Sequence, residues 1–270
     1  MTEENDKERT VQNTLRLAAC SDLRRNVLLS LKEDRKVLKK LREELDVNAS
    51  TAIHALRDLE KDMLVFQDED RSYALTKIGE VIALKVADVM DAIDVLKEHE
   101  DFWLTHDLSG IPPHLLERIG WLKGATLLEN PATDIFQVHE SFVSLLAGAR
   151  KIRGVSSIFV PQYPILFEEL ILKKKADVEL IVTEDVLQKI NKDILQAIFA
   201  DEDSRLTLYM IERGAKAAFS VTDSYISLGL FYNDGTYDYN RDLVSSDPRA
   251  IRWGEELFEW YREGANLIER

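Results

Sequence analysis

The spacing of apolar residues between positions 22 and 76 constrains this 270-residue chain more than any other feature. Leu23, Val27, Leu28 and Leu31 recur at helical spacing in a first run, and Leu38, Leu41 and Leu45 repeat that spacing in a second. A third run begins after Val47-Asn48, where Asn48 or Ser50 is placed to cap it, and carries Ala52, Leu56 and Leu59 at i, i+4 and i+7. Those three belong inside, which turns Ser50, Thr51, Ile53, His54 and Arg57 outward. Two β-prone runs, 64–67 and 72–76, then flank the polar turn from Asp68 to Arg71 in a hairpin pattern.

Three short helices and a hairpin in this order predict a winged helix-turn-helix over residues 22–76. Its third helix is the element that reaches base edges in the major groove. Ser50, Thr51, His54 and Arg57 are the candidate base-reading residues. Lys39 and Lys40 are candidates for phosphate, and Arg71 stands where a wing touches the backbone. The same shape also serves protein contacts, so an interaction adaptor is the competing expectation.

A formal net charge of −14 argues against a nucleic-acid partner until its distribution is considered. Residues 1–80 hold 15 Lys plus Arg against 17 Asp plus Glu, a net of −2, and the remainder holds 20 against 32, a net of −12. The acid lies mostly outside the candidate DNA-binding segment. Within it, Arg24, Arg25, Lys32, Arg35, Lys36, Lys39, Lys40 and Arg42 cluster in the first two helices. Several have acidic neighbours, so weak non-specific binding is expected, with reliance on dimerisation and on specific sequence.

No apolar run approaches the roughly 20 residues that span a bilayer. The acidic start, MTEENDKE, is unlike a signal peptide, so no membrane contact and a cytoplasmic location are expected. The single cysteine, Cys20, excludes an intrachain disulfide and a multi-cysteine metal site, and a small core residue is its expected role.

Residues 77–99 read as one long helix. Ile82, Val86, Val89, Ile93 and Leu96 are spaced 4, 3, 4, 3, an a/d seam on a helix roughly 30 Å long. Dimerisation is the expected use of the seam, with packing inside one chain as the alternative. Beyond Asp101 the texture changes. Gly110-Ile-Pro-Pro marks a turn, a helix is expected over 135–151, and strands (155–160, 178–183, 205–211) then alternate with helices (165–172, 186–199). That is the order of βαβ units in a largely parallel sheet. Two more strands, 217–222 and 225–231, and a final amphipathic helix from Pro248 to Ile268 follow. The expected architecture is an α+β N-terminal winged helix-turn-helix and an α/β C-terminal sensor domain joined by a long helix. Its segments are an N-terminal helical extension (1–21), the DNA-binding domain (22–76), the linking helix (77–100) and the effector domain (101–270).

A ligand in such a sheet is expected beyond the carboxyl ends of the parallel strands. Pro161, Gln162 and Tyr163, then Thr183 and Glu184, then Glu212 and Arg213 occupy those positions, and an anionic ligand would favour Arg213 and Lys216. Thr183 is equally a natural N-cap for the helix that follows.

Five phrases carry a family likeness: FWLTHDLSGIPPHLLERIGWLKG (102–124), VSSIFVPQYPILFEELI (155–171), VELIVTEDVLQKI (178–190), SYISLGLFYNDGTYD (224–238) and WGEELFEWYREG (253–264). They resemble the archaeal regulators that join an N-terminal winged helix to the middle domain named after the Fil methanogenesis regulator, and the similarity runs from about residue 22 to 264. The resemblance implies a transcription factor of methanogenic archaea whose second domain senses or relays a signal. The Fil regulator also carries a phosphoacceptor receiver domain. Residues 1–21 leave no room for one ahead of the winged helix, so direct ligand or partner sensing is expected instead of phosphorelay.

The second domain is also similar to the phospholipase-D-like effector domains of archaeal sugar-responsive regulators, which implies an enzyme as a further alternative. Phosphodiester chemistry in that fold needs a His-x-Lys pair. The five histidines read His54-Ala-Leu, His99-Glu-Asp, His106-Asp-Leu, His114-Leu-Leu and His139-Glu-Ser, and none has the lysine. A zinc-protease pair fails at Val143, where the second His is required. No enzyme, cofactor or metal is expected. The expectation is a homodimeric, sequence-specific transcriptional regulator whose partners are double-stranded DNA and a small-molecule or protein effector.

Overall fold

The N-terminal unit is built where the apolar spacing placed it. In the computed structural model, which describes residues 2–212 and 215–269 and side chains from residue 11 onward, the chain divides into units 1–90 and 91–270. The first comprises α1 (Thr2–Ala19), α2 (Asp22–Glu33), β1 (Lys36–Val37), α3 (Leu38–Leu45), α4 (Ala49–Lys61), β2 (Val65–Gln67), β3 (Ser72–Leu75) and the start of α5 (Lys77–Glu98). Leu28, Leu41, Leu56, Leu59 and Leu64 are fully buried in one core, where truncating any one to Ala costs about 2–5 kcal/mol. Gly79 permits α5 to pass that core, since a Cβ there would lie 1.9 Å from the Leu64 carbonyl oxygen.

Three expectations are corrected in this unit. The hairpin gains a third strand, because β1 pairs antiparallel with β3 (Lys36 opposite Tyr73) in the order β1-β3-β2. Lys36 is therefore drawn inside, with its Nζ 2.9 Å from Ser30 Oγ and 2.7 Å from Glu44 Oε2, and it is no surface cation. Cys20 is exposed at the junction between α1 and α2, where Ala18 takes the core position instead. The seam of α5 is also divided. Ile82 and Val86 pack against the core of this unit, whereas Val89 (57% exposed), Ile93 (50%) and Leu96 (38%) face outward.

The second unit continues with α6 (Glu100–Thr105), α7 (Pro113–Leu116), β4 (Thr126–Glu129), α8 (Gln137–Ala147), β5 (Lys151–Ser156), α9 (Tyr163–Glu168), β6 (Asp177–Thr183), α10 (Glu184–Lys189) and α11 (Lys192–Ala200). It closes with β7 (Leu206–Ile211), β8 (Ala217–Thr222), β9 (Ile226–Leu230), β10 (Arg241–Ser245), α12 (Pro248–Glu263) and β11 (Asn266–Leu267). One eight-stranded sheet runs in the order β11-β7-β6-β5-β8-β9-β10-β4. Only β5-β6 and β6-β7 are parallel and the remaining neighbours are antiparallel, so the sheet is mixed, not largely parallel. The change of direction falls between β5 and β8, which pair antiparallel, and the β8–β9 hairpin continues the antiparallel half. The expected helix 186–199 is two helices, broken at Ile190-Asn191, where the Asn191 side chain caps α11 by accepting from the Asp193 N–H at 2.8 Å.

Strand alternation divides the core into two layers. On one face Ile181, Phe219, Ile226, Leu228 and Leu243 meet Trp253, Leu257, Phe258 and Tyr261 of α12. On the other, Ile152, Val178 and Val182 face Leu146, Leu170, Ile171 and Ile198 from the α8–α11 side.

Candidate functional site

The first candidate surface is the outer face of α4. The chain enters this helix through Asp46, which ends α3 in the left-handed conformation (φ 49°) with its N–H donated to the Arg42 carbonyl. Asn48 follows, and its Oδ1 accepts from the Thr51 N–H at 2.9 Å, so Asn48 and not Ser50 is the cap. With Ala52, Ala55, Leu56 and Leu59 buried, Ser50, Thr51, His54 and Arg57 are all exposed on the opposite side. Arg57 takes part in no ion pair among the described residues. The same is true of Lys32, Lys40 and Arg71, the last at φ 65° in the β2–β3 turn. Other cations are engaged: Arg24 with Asp58 (3.1 Å), Arg25 with Asp22 (2.7 Å), Arg35 with Asp68 (3.0 Å) and, loosely, Lys39 with Glu43 (3.9 Å). Lys36 holds the Glu44 carboxyl below the ordinary carboxylate range, chiefly through its hydrogen bond.

The second candidate is a cavity of about 670 Å³ in the C-terminal unit, between the sheet and the helices from α8 to α11. It exists because the sheet positions facing it are small. Gly154, Ala218, Ser220 and Ser227 line it, flanked by Leu180, Val182, Leu206 and Leu208. Phe136, Phe142, Phe159, Phe167, Tyr163 and Tyr237 supply aromatic walls. His139 stacks on Tyr163 with ring centroids 5.3 Å apart, and its Nδ1 lies 3.3 Å from the phenol oxygen.

The polar pole of the cavity is Asp242. It is 7% exposed, and the Ser227 hydroxyl donates to its Oδ2. Burial pushes its pKa up to about 7, because the charged form has lost its water. Burial and the Asp242 charge also raise the Tyr163 and Tyr237 phenols above their ordinary range. The neighbouring Asp238 is a different case, since its Oδ2 lies 2.7 Å from Arg241 Nε and 3.1 Å from His106 Nε2. Arg241 also pairs with Asp101 at 2.8 Å. That cluster is internally paired, and its Asp238 and Arg241 belong to the cavity wall.

Residues 12–94 match the family described as the Methanogenesis regulatory protein FilR1, N-terminal domain, and residues 135–264 match its middle domain. The chain belongs to the FilR1 family. The Methanogenesis regulatory protein FilR1 of Methanothrix harundinacea (strain 6Ac) is 32% identical over 270 residues, covering 97% of this chain and 59% of that protein. The chain thus spans 59% of the length of the relative it matches. Among solved structures, TrmBL2, an archaeal chromatin protein, is similar at 15% identity over 87% of this chain and 88% of that one, with a TM-score of 0.43. The phospholipase D family member Nuc from Salmonella typhimurium is similar at 12% identity over 54% of this chain and 99% of that one, with a TM-score of 0.40. Likenesses this distant do not bear on function.

In this FilR1-family chain both candidate surfaces fall within the matched segments. The structure brings Ser50, Thr51, His54 and Arg57 together on α4, and it brings Gln162 and Tyr163 to the cavity wall together with Pro161. It does not bring Thr183 or Glu184 there. Thr183 alternates to the face of Ile181 and caps α10, accepting from the Val186 N–H, and Glu184 is exposed. Arg213 lies outside the described residues, and Glu212 next to it is exposed and does not line the cavity. Lys216 pairs with Asp107 at 2.6 Å, and that hydrogen bond draws the Asp107 carboxyl down to about 2. The cavity lies on the sheet face, and of the positions beyond the strand ends it includes Pro161, Gln162 and Tyr163. Sequence reasoning missed Asp242, Ser227 and Tyr237. A signal existed for Ser227 alone, in the small residues Ala218 and Ser220, then Ser227 and Gly229, that recur at every second position of β8 and β9.

His99 and His106 both have protein partners. His99 Nε2 lies 2.9 Å from the Ala125 carbonyl, and His106 Nδ1 lies 2.6 Å from the Phe102 carbonyl. No helix among the described residues is long and apolar enough to cross a membrane.

Proposed function

We propose that this chain is a sequence-specific DNA-binding transcriptional regulator that works as a homodimer, with a winged helix-turn-helix at residues 22–76 and an effector cavity in its C-terminal unit. The observation that carries the reading is the outer face of α4. There a capped helix holds two hydroxyls, an imidazole and an unpaired guanidinium exposed together, the donor and acceptor set that reads base edges. Lys40 and Arg71 supply phosphate contacts beside it. FilR1-family membership supports the same reading.

Two half-sites are read when two copies associate. Val89, Ile93 and Leu96 are the outward part of the α5 seam and form the contact between subunits. An effector in the cavity changes DNA affinity only by favouring one arrangement of the dimer over another.

The test is binding of the purified chain to its own upstream duplex and to a scrambled duplex over a salt series. Tighter binding to the upstream duplex, weakening steeply with salt, is the expected result. Equal and negligible binding to both, with and without cell extract, overturns it in favour of a protein-contact adaptor.

A further inference from the structure

The C-terminal cavity sets the buried carboxylate of Asp242 among largely apolar and aromatic residues, apart from the ion-paired Asp238. Asp242 Oδ2 is satisfied by Ser227, while Oδ1 has no protein hydrogen-bond donor among the described residues. No cation pairs with Asp242 among those residues either. Arg241, the one Lys or Arg in the wall, is held by Asp238 and Asp101, and no lysine lines the cavity. A carboxylate shielded from bulk water with one oxygen unpartnered is costly, and a water, an ion or a ligand donor in the cavity would complete it.

The surroundings narrow the ligand. An anion would meet the Asp242 carboxylate with no lysine or unpaired arginine in the wall to offset it, and the His139 imidazole there is already stacked on Tyr163. A polyol would leave most of its hydroxyls against Leu180, Val182, Leu206 and the phenyl rings, unpaired. Aromatic faces next to a carboxylate are the combination that favours a cation carrying N–H donors, through cation–π attraction and a charge-assisted hydrogen bond. The space available, about 670 Å³, and its largely apolar lining suit a molecule with a substantial apolar body.

We propose that the effector of this cavity is an organic ammonium ion, a protonated primary or secondary amine on an apolar or aromatic body, whose N–H donates to Asp242 Oδ1. This deepens the regulator reading above and rests on its effector cavity. Ser227 holds the carboxylate in place, and Tyr163 and Tyr237 line the same cavity.

The experiment is calorimetric titration of the full chain with three isosteres, 4-phenylbutylamine, 4-phenylbutan-1-ol and 4-phenylbutyrate, near neutral pH. The amine is expected to bind at least about tenfold more tightly than either of the others, and Asp242→Asn is expected to weaken the amine at least about tenfold while changing the alcohol little. Carboxylate or alcohol binding as tightly as the amine overturns the assignment, as does undiminished amine binding by a folded Asp242→Asn chain. Absence of binding by all three overturns it too. If Asp242→Asn does not fold, the ranking of the three isosteres on the unmodified chain decides alone. DNA binding measured on the same preparation separates the two readings. Specific DNA binding without amine binding leaves the regulator standing, and amine binding without DNA binding leaves only the ligand site.

Discussion

The Thr51 backbone N–H donates to the Asn48 side chain at 2.9 Å, so the helix carrying the candidate base-reading residues starts from a fixed, capped turn. Removing that acceptor exposes an unpaired N–H at the first turn of α4. Asn48→Ala is therefore expected to destabilise the N-terminal unit by about 1 kcal/mol, and Asn48→Asp or Asn48→Ser to restore most of it. Urea denaturation followed by circular dichroism measures the difference. A neutral Asn48→Ala would show that the cap does not hold the helix start.

Lys36 and Lys40 are both lysines of the basic run, but they do different things. Lys36 is buried against Ser30 and Glu44, whereas Lys40 is exposed. Lys36→Ala leaves Glu44 without its partner and is expected to cost about 2 kcal/mol of stability, less than a fully enclosed pair because Glu44 reaches water. Lys40→Ala is expected to change stability by under about 0.5 kcal/mol while lowering the salt slope of DNA binding by about one. Denaturation and salt-series binding on both variants check the division, and the reverse pattern would place Lys36 at the phosphates.

Asp242 makes stability depend on pH in a definite direction. Its pKa in the folded chain is raised to about 7 from an ordinary value of 3.8. Below the unfolded value the carboxyl is neutral in both states and contributes no penalty. As pH rises toward 7 the unfolded chain releases the proton first, so stability falls, and above 7 the penalty is complete. Asp242→Asn removes that penalty. Without ligand it is expected to be near neutral around pH 4 and more stable than the unmodified chain by roughly 4 kcal/mol around pH 8. A pH-independent difference in thermal or urea unfolding would contradict the burial argument.

The fold was legible wherever a helix or strand had one dry face. The α2–α4 run came directly from leucine spacing, and β6, β7, β8 and β9 from short apolar runs between polar turns, whereas the β-branched run 155–160 misplaced β5, which is Lys151–Ser156. Lys36 was not legible as a buried residue, because a two-residue strand carries no periodicity and its burial depends on β3, far along the chain. The mixed sheet was hidden for a related reason. Alternating strands and helices suggest parallel pairing, but β5 pairs with β8, and that long-range choice has no local signature. One small part of the cavity wall was visible at Gln162 and Tyr163. Asp242 was not, since β10 is five residues long and its neighbour β4 sits more than a hundred positions away.

The outward part of the α5 seam predicts assembly. Val89→Asp combined with Ile93→Asp places charge on an exposed apolar stripe without touching the core residues Ile82 and Val86. Sedimentation velocity is expected to show a dimer for the unmodified chain and a monomer for the double variant, with weaker DNA binding. A monomer in both would remove α5 as the subunit contact.

The central claim, that the exposed face of α4 reads base sequence, is tested most directly by Arg57→Ala in paired binding to the upstream and scrambled duplexes. Loss of about 1–3 kcal/mol on the upstream duplex, with binding to the scrambled duplex nearly unchanged, is the predicted result. Equal affinities of Arg57→Ala and the unmodified chain for the upstream duplex would contradict it, because the only unpaired guanidinium of that face among the described residues would then read nothing.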